Sequence, residues 1–177
     1  MNKTSTGASQ APFENKIFKM KKVFLVCFLL SLFFVNATEA CAQNKLVEVT
    51  FQQVDSLLEI EQKPVVVFLY TDWCKYCHSM KATVFTDSTV IDYLNENFYF
   101  VWFDAESEED VTFAGNTFHF KPNGNKNGVH ELATQLGTID GKLSYPTLSA
   151  LNGQYELVFQ YGGVLYKEEL MAVLRSL

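Results

Sequence analysis

The apolar residues of the second part of the chain alternate between strand-like and helix-like patterns. Six consecutive residues at 65–70 and six at 98–103 are apolar and aromatic, which predicts two strands buried on both faces. Apolar residues recur at helical spacing within 52–60. A longer helix is predicted over 74–97, with an interruption near 86–88, where a second cap can start. The pattern therefore predicts a central sheet covered by helices.

The remaining elements are shorter. Gly115-Asn116 predicts a hairpin turn, and residues 129–136 predict a short helix. A strand over 145–151 is followed by Asn152-Gly153, which predicts a type I′ turn into another strand. A final helix is predicted over 167–176. The order strand, helix, strand, helix, hairpin, helix is typical of an α/β domain with a mixed sheet.

The first 42 residues have the features of an export signal. Lys21 and Lys22 precede an apolar run over 23–35, and a short polar stretch then ends in Ala40-Cys41-Ala42. A basic end, an apolar centre of ~7–15 residues and small residues at the cleavage site define a secretory signal peptide. The run is shorter than the ~20 residues that a membrane-spanning helix needs. We therefore expect residues 1–42 to be a lead and signal peptide, and the protein to be periplasmic or part of the cell envelope.

Two alternatives remain open for this segment: lipid attachment at Cys41, and retention of the apolar run as a membrane anchor. Cleavage after Ala42 would leave a domain of residues 43–177. This domain has 9 Lys and Arg against 18 Asp and Glu, a net charge of −9. Such a charge provides no electrostatic basis for nucleic-acid binding, and we expect no nucleic-acid partner.

The mature domain would keep two cysteines, Cys74 and Cys77, and their spacing predicts reactivity. A disulfide between them closes too short a loop to stabilise a fold by itself. Cys74 lies where a buried strand meets a helix, and unpaired N–H groups at a helix N-terminus lower the pKa of a thiol. Cys77 lies one turn further on the same face, where it can attack a mixed disulfide on Cys74. Lys75 adds a positive charge nearby.

The segment VVVFLYTDWCKYC resembles the active-site signature of the thioredoxin superfamily. Tyr145-Pro146-Thr147 resembles the cis-proline element of that family, and Gly162-Gly163 is similar to its closing glycine turn. The resemblance covers roughly residues 46–177. Asp72-Trp73-Cys74, Val84-Phe85-Thr86-Asp87 and Val90 also resemble the C-terminal domain of the transmembrane thiol:disulfide interchange protein of bacterial periplasms. It implies a thioredoxin-like α/β fold, with a central mixed sheet flanked by helices and an insert at about 105–142.

The resemblance also implies a function, that of an exported thiol:disulfide oxidoreductase, a reductase or isomerase of protein disulfides. No cofactor and no metal are expected. The partners would be thiols and disulfides of exported proteins, together with a redox partner that regenerates the cysteine pair. The implied site residues are catalytic Cys74 and Cys77, substrate-binding Trp73, Tyr145 and Pro146, and supporting Lys75 and Tyr76.

Two other functions are compatible with the motif. The first is a binding module that keeps the fold and an inert disulfide, and uses the insert to hold a partner. The second is haem attachment, because Cys74 to His78 is formally a C-x-x-C-H segment, although the preceding strand and the proline element argue against it. One position departs from the family: Phe68 stands where many members have a buried Asp. Asp104 or a water molecule would then have to accept the proton of Cys77.

Overall fold

The computed structural model describes residues 45–124 and 127–177. The strands in chain order are β1 (Val65–Tyr70), β2 (Tyr99–Asp104), β3 (Val111–Phe113), β4 (Asn116–Phe118), β5 (Phe120–Pro122), β6 (Gly128–His130), β7 (Thr138–Ile139), β8 (Lys142–Leu143), β9 (Thr147–Leu151) and β10 (Leu157–Gly162). The α-helices are α1 (Phe51–Leu58), α2 (Lys75–Thr83), α3 (Ser88–Asn97), α4 (Glu131–Gly137) and α5 (Lys167–Leu174).

A four-stranded mixed sheet forms the centre of the fold, in the order β10-β9-β1-β2. Strands β1 and β2 are parallel, with Val65 opposite Tyr99 and Tyr70 opposite Asp104. Strand β9 is antiparallel to both of its neighbours, β1 and β10. Five of the six residues of β1 are buried, as the apolar run predicts for a strand covered on both faces. The predicted α/β class and mixed sheet are confirmed.

Helices cover both faces of the sheet, because successive side chains of a strand point to opposite faces. Val66 and Phe68 belong to one apolar cluster with residues of α2, α3 and α5. Val67 and Leu69 belong to a second cluster with residues of α1 and α4. The cysteine pair lies in the first cluster.

The predicted interruption of the long helix is confirmed. Helix α2 ends at Thr83, a 3₁₀ turn spans Val84–Thr86, and α3 begins at Ser88. The carboxylate of Asp87 accepts hydrogen bonds from the backbone N–H groups of Thr89 and Val90, so Asp87 is the N-cap of α3. Lys167 of α5 binds the same carboxylate at 2.8 Å, which connects the two helices.

The insert after β2 consists of small hairpins and α4. The hairpin predicted at Gly115-Asn116 is present as β3 and β4, but its turn lies one residue earlier: Ala114 and Gly115 have positive φ, as a type I′ turn requires. Two further antiparallel pairs, β5 with β6 and β7 with β8, were not predicted. The β7–β8 hairpin turns at Asp140-Gly141, which also has positive φ at both residues.

The type I′ turn predicted at Asn152-Gly153 is wrong, although the hairpin itself is present. The positive φ falls on Tyr155, whose N–H donates to the carbonyl of Asn152 at 3.1 Å. The connection is therefore longer, and β10 begins at Leu157. The Asn152 side chain accepts two hydrogen bonds from the loop backbone, which stabilise this wider turn.

The predictions for residues 1–42, including the signal peptide and lipidation at Cys41, lie outside the described residues. Within the described ranges, no helix has the length and apolarity needed to span a bilayer.

Candidate active site

Cys74 and Cys77 form a disulfide at the N-terminus of α2, with their Cα atoms 5.3 Å apart. Cys74 has an extended backbone and is the N-cap of the helix, and its sulfur accepts a hydrogen bond from the N–H of Cys77 at 3.1 Å. The N–H groups of a first helical turn lack partners within the helix, so they favour negative charge at this sulfur. This position would stabilise a Cys74 thiolate once the disulfide is reduced.

Both cysteines are buried within an apolar cluster. Cys74 is 4% exposed and Cys77 is 1% exposed. The backbone N–H of Cys74 donates to the carbonyl of Thr71 at 3.1 Å, which closes the turn between β1 and α2. A reacting group could therefore approach Cys74 more easily than Cys77, although the difference is small.

Trp73 directly precedes Cys74 and is largely exposed, at 66%. Its indole N–H donates a 3.0 Å hydrogen bond to the carboxylate of Glu106. Its ring lies edge-on to the ring of Tyr145, with centroids 6.0 Å apart. Trp73 is therefore held from two directions, by the segment after β2 and by the segment before β9.

The Tyr145–Pro146 bond is cis, as the resemblance implies. The Pro146 carbonyl accepts a 2.8 Å hydrogen bond from the N–H of Gly163, so the proline element contacts the glycine turn after β10. The Tyr145 hydroxyl is buried, and no hydrogen-bond partner for it lies among the described residues. Burial, and secondarily the charges of Glu106 and Asp104, raises the pKa of Tyr145 to about 12.

Lys75 and Tyr76, between the cysteines, both face solvent, and Tyr76 is 67% exposed. The imidazole Nε2 of His78 lies 2.7 Å from the carbonyl oxygen of Asp72. This contact gives His78 a role at the turn before α2 that involves no haem. The structure thus places Tyr145 against Trp73 and against the apolar cluster that contains the cysteine pair, with the buried Pro146 next in the chain, and leaves Lys75 and Tyr76 exposed.

Phe68 occupies the position of the missing carboxylate and is fully buried. Its ring packs edge-on against the rings of Phe85 and Trp102, with centroids 5.0 and 5.2 Å apart. Nearby, the Lys81 Nζ lies 2.9 Å from the centroid of the Tyr70 ring. Burial lowers the pKa of Lys81, while the carboxylates of Asp72, Asp104 and Glu48 act in the opposite direction.

Glu106, which binds Trp73, and Lys81, which lies against Tyr70 at the end of β1, were not singled out from the sequence. Glu106 belongs to an acidic stretch, 106–110, whose sequence gives no sign that one carboxylate reaches an indole 33 residues earlier. Lys81 lies one helical turn after Cys77, so the i, i+4 spacing could have indicated that it shares a helix face with that residue.

Comparison with known proteins agrees with this geometry. The model of the Thioredoxin-like domain family matches residues 39–177. No curated protein matches. Among solved structures, similar folds include DsbH oxidoreductase (17% identity, 80% of this chain and 90% of that chain covered, TM-score 0.54) and a thioredoxin from Thermus thermophilus (21%, 75% and 86%, TM-score 0.52).

A candidate disulphide-isomerase from Bacteroides thetaiotaomicron is also similar, with 28% identity, a TM-score of 0.50, and 76% of this chain and 93% of that chain covered. The family match extends over most of the chain and includes the cysteine motif, the proline element and the final helix. The chain therefore belongs to the thioredoxin superfamily, as a protein with a Thioredoxin-like domain.

Proposed function

We propose that this protein is an exported thiol:disulfide oxidoreductase that reduces or isomerises disulfides of other exported proteins. The observation that carries the proposal is the Cys74–Cys77 disulfide at the N-terminus of α2, where the helix favours a thiolate on Cys74. The similarity to a candidate disulphide-isomerase at 28% identity supports this class of reaction. Trp73, Tyr145 and Pro146 would contact the substrate beside Cys74.

The reaction starts from the reduced pair. The Cys74 thiolate attacks one sulfur of a substrate disulfide, a bond forms between Cys74 and that sulfur, and the other substrate sulfur leaves as a thiolate that takes up a proton. The Cys77 thiol then loses its proton and attacks the Cys74 sulfur. The bond between Cys74 and the substrate breaks, the Cys74–Cys77 disulfide forms, and the substrate leaves with two thiols. A redox partner with two electrons to donate restores the reduced pair.

A second function, a binding module with an inert disulfide, is favoured by one observation: both cysteines are almost buried. An insulin-reduction assay with dithiothreitol as the electron donor separates the two functions. We expect the wild type to accelerate insulin precipitation, and Cys74→Ala to leave it at the uncatalysed rate. Equal rates for the two proteins would favour the inert module.

Export is tested separately. We expect the full chain, expressed in a bacterium, to be recovered from the envelope or periplasm with an N-terminus at Gln43. Mass spectrometry identifies that N-terminus directly. A lipid-modified Cys41 at the N-terminus would mean that the exported protein is anchored in the membrane. An intact chain in the cytoplasm would contradict export in either form.

A further inference from the structure

A groove of about 570 Å³ lies along the free edge of β2. Its floor is formed by the end of β2 and by Tyr70, the last residue of β1. One wall is the segment 48–53, which leads into α1, and the other is the segment 107–111, which leads into β3. The groove is distinct from the surface beside Pro146, which lies on the opposite side of β1.

The backbone at the floor of this groove is available for strand pairing. The N–H of Val49 donates to the carbonyl of Phe100 at 2.9 Å, so Phe100 directs its backbone groups towards the free edge. Alternate residues of a strand point to the same edge, so Trp102 directs its N–H and its carbonyl into the groove. The described residues supply no backbone partner for either group. The chain itself turns away at Thr50, the N-cap of α1.

The walls of the groove are acidic. Glu48, Asp104, Glu109 and Asp110 line it, and none of the described residues that line it is Lys or Arg. Asp110 has a cationic neighbour, His119, whose Nδ1 lies 2.7 Å from the carboxylate. The other three carboxylates form no salt bridge within the described residues. The Lys81 ammonium lies against the rings of Tyr70 and Trp102 and interacts electrostatically with Glu48 and Asp104. The four carboxylates outnumber Lys81 and His119, so the groove still presents net negative charge to a ligand.

The segment after β2 contributes both to the groove and to the candidate active site. Strand β2 ends at Asp104, and two residues later Glu106 binds the indole of Trp73, next to Cys74. The segment that carries Glu106 then continues into the wall formed by 107–111. A chain lying in the groove would therefore be directed towards Trp73 and the cysteine pair.

We propose that this groove binds an extended, Lys- or Arg-containing segment of the protein substrate, which pairs with β2 at Trp102 and places its basic side chains among Glu48, Asp104 and Glu109. An open edge gives affinity through backbone hydrogen bonds, and flanking pockets give specificity through side chains. That the bound segment belongs to a substrate rests on the proposed oxidoreductase function. The groove itself is proposed as a binding site independently of that reaction.

The test measures binding without chemistry. Two fluorescent eight-residue peptides without cysteine, Lys-Val and Glu-Val repeats, are titrated against the oxidised wild type by fluorescence anisotropy, at low and high salt. We expect the Lys peptide to bind at least about tenfold more tightly than the Glu peptide, with a preference that falls as salt rises. Two N-methylated forms of the Lys peptide are compared, one methylated at the odd and one at the even backbone nitrogens. Only one of them should bind more weakly, because only one set of N–H groups faces β2.

Variants locate the binding. Glu48→Lys combined with Glu109→Lys should weaken the Lys peptide by about tenfold, because like charges then face each other. Glu48→Gln with Glu109→Gln is the milder pair, should the reversed charges affect folding. Glu96→Lys combined with Glu168→Lys, at exposed positions of α3 and α5 outside the groove, makes the same change in net charge, so it is the matched control and should leave binding unchanged. Equal affinity for the two peptides, equal loss in the control, or self-association that the groove variants abolish would each overturn the proposal.

The two proposals fail in different ways. If the protein reduces insulin but the Lys peptide does not bind, the groove proposal fails and the oxidoreductase stands. If the peptide binds in the groove but Cys74→Ala and the wild type have equal insulin activity, the oxidoreductase fails and the binding site stands. If both proposals are correct, the groove variants should raise KM for a peptide disulfide flanked by lysines and leave kcat unchanged.

Discussion

Trp73 and Glu106 are joined by a 3.0 Å hydrogen bond between the indole N–H and a carboxylate oxygen. The bond connects the residue before Cys74 with the first turn after β2. The ring of Tyr145 contacts Trp73 from the other side. Because Trp73 is otherwise largely exposed, these two contacts define where its ring lies beside the disulfide.

Removing the Glu106 carboxylate should weaken substrate binding, with a smaller effect on the free energy of unfolding. Glu106→Ala releases the indole, and we expect KM for a protein disulfide to rise by roughly two- to tenfold, the value of one hydrogen bond of about 0.5–1.5 kcal/mol. Glu106→Gln keeps an acceptor and should have a smaller effect. Steady-state kinetics measures both variants. Glu108→Ala, an exposed neighbour, is the control, and an equal rise of KM in this control would contradict the assignment.

Phe68 should contribute to stability as a core residue. It is fully buried and packs against two aromatic rings, so Phe68→Ala leaves a cavity that the neighbours cannot fill. We expect the free energy of unfolding to fall by about 3–5 kcal/mol, and less for Phe68→Leu. Urea unfolding followed by circular dichroism measures it. Ile60→Ala, at a residue that is 82% exposed, should change it by under about 0.5 kcal/mol. A Phe68→Ala protein as stable as this control would contradict the packing.

The fold and the cysteine pair could be predicted because their signals are local. The six apolar residues of β1, the caps near Asp87 and the spacing of Cys74 and Cys77 each lie within a few positions of one another. The Asp140-Gly141 turn between β7 and β8 had an equally local signal, an Asp-Gly pair, and could have been found.

The remaining features depend on distant parts of the chain. Glu106 reaches Trp73 only because β2 runs parallel to β1 and both end at the same edge of the sheet. The groove at Trp102 exists because the segment that pairs with β2 at Phe100 turns away from the strand at Thr50 and enters α1. The loop after β9, in which Tyr155 takes the positive φ, also has a distant partner: the Gln154 side chain donates to the Gln62 side chain at 2.7 Å. No short-range pattern contains this information.

His130 should make stability depend on pH. Its ring is buried at the start of α4, where Nδ1 accepts the N–H of Leu132 at 3.1 Å and Nε2 lies 3.1 Å from the carbonyl of Glu109. Burial lowers the pKa of His130 below its usual value of 6.5. The unfolded chain therefore binds a proton that the folded chain excludes, so stability is complete above about pH 6.5 and falls as the pH drops below it.

We expect the free energy of unfolding to decrease between about pH 7 and pH 5, by up to about 1.4 kcal/mol per pH unit while His130 stays neutral in the folded state. His130→Asn keeps a capping side chain and removes the titration, so its stability should be flatter over this range. Urea unfolding at several pH values gives both curves. The measurement stops at pH 5 to keep two other groups ionised. Hydrogen bonds from lysine partners lower the pKa values of Asp87 and Glu131, so the stability that these two carboxylates contribute is lost only at lower pH. Parallel curves for the two proteins would show that His130 does not cause the effect.

The two cysteines should differ in the intermediates that they trap. Cys74 accepts the N–H of Cys77 at the helix N-terminus and is the more exposed of the two, so its thiolate is the one that attacks a substrate. Without Cys77, the bond between Cys74 and the substrate cannot be resolved from within the domain. Cys77→Ala should therefore accumulate mixed disulfides on non-reducing gels, whereas Cys74→Ala should accumulate few or none. Treatment with dithiothreitol should release the trapped proteins and serves as the control. Comparable trapping by both variants would mean that the exposures of 4% and 1% do not determine which cysteine reacts first. The assignment of Cys74 as the attacking residue would then be wrong.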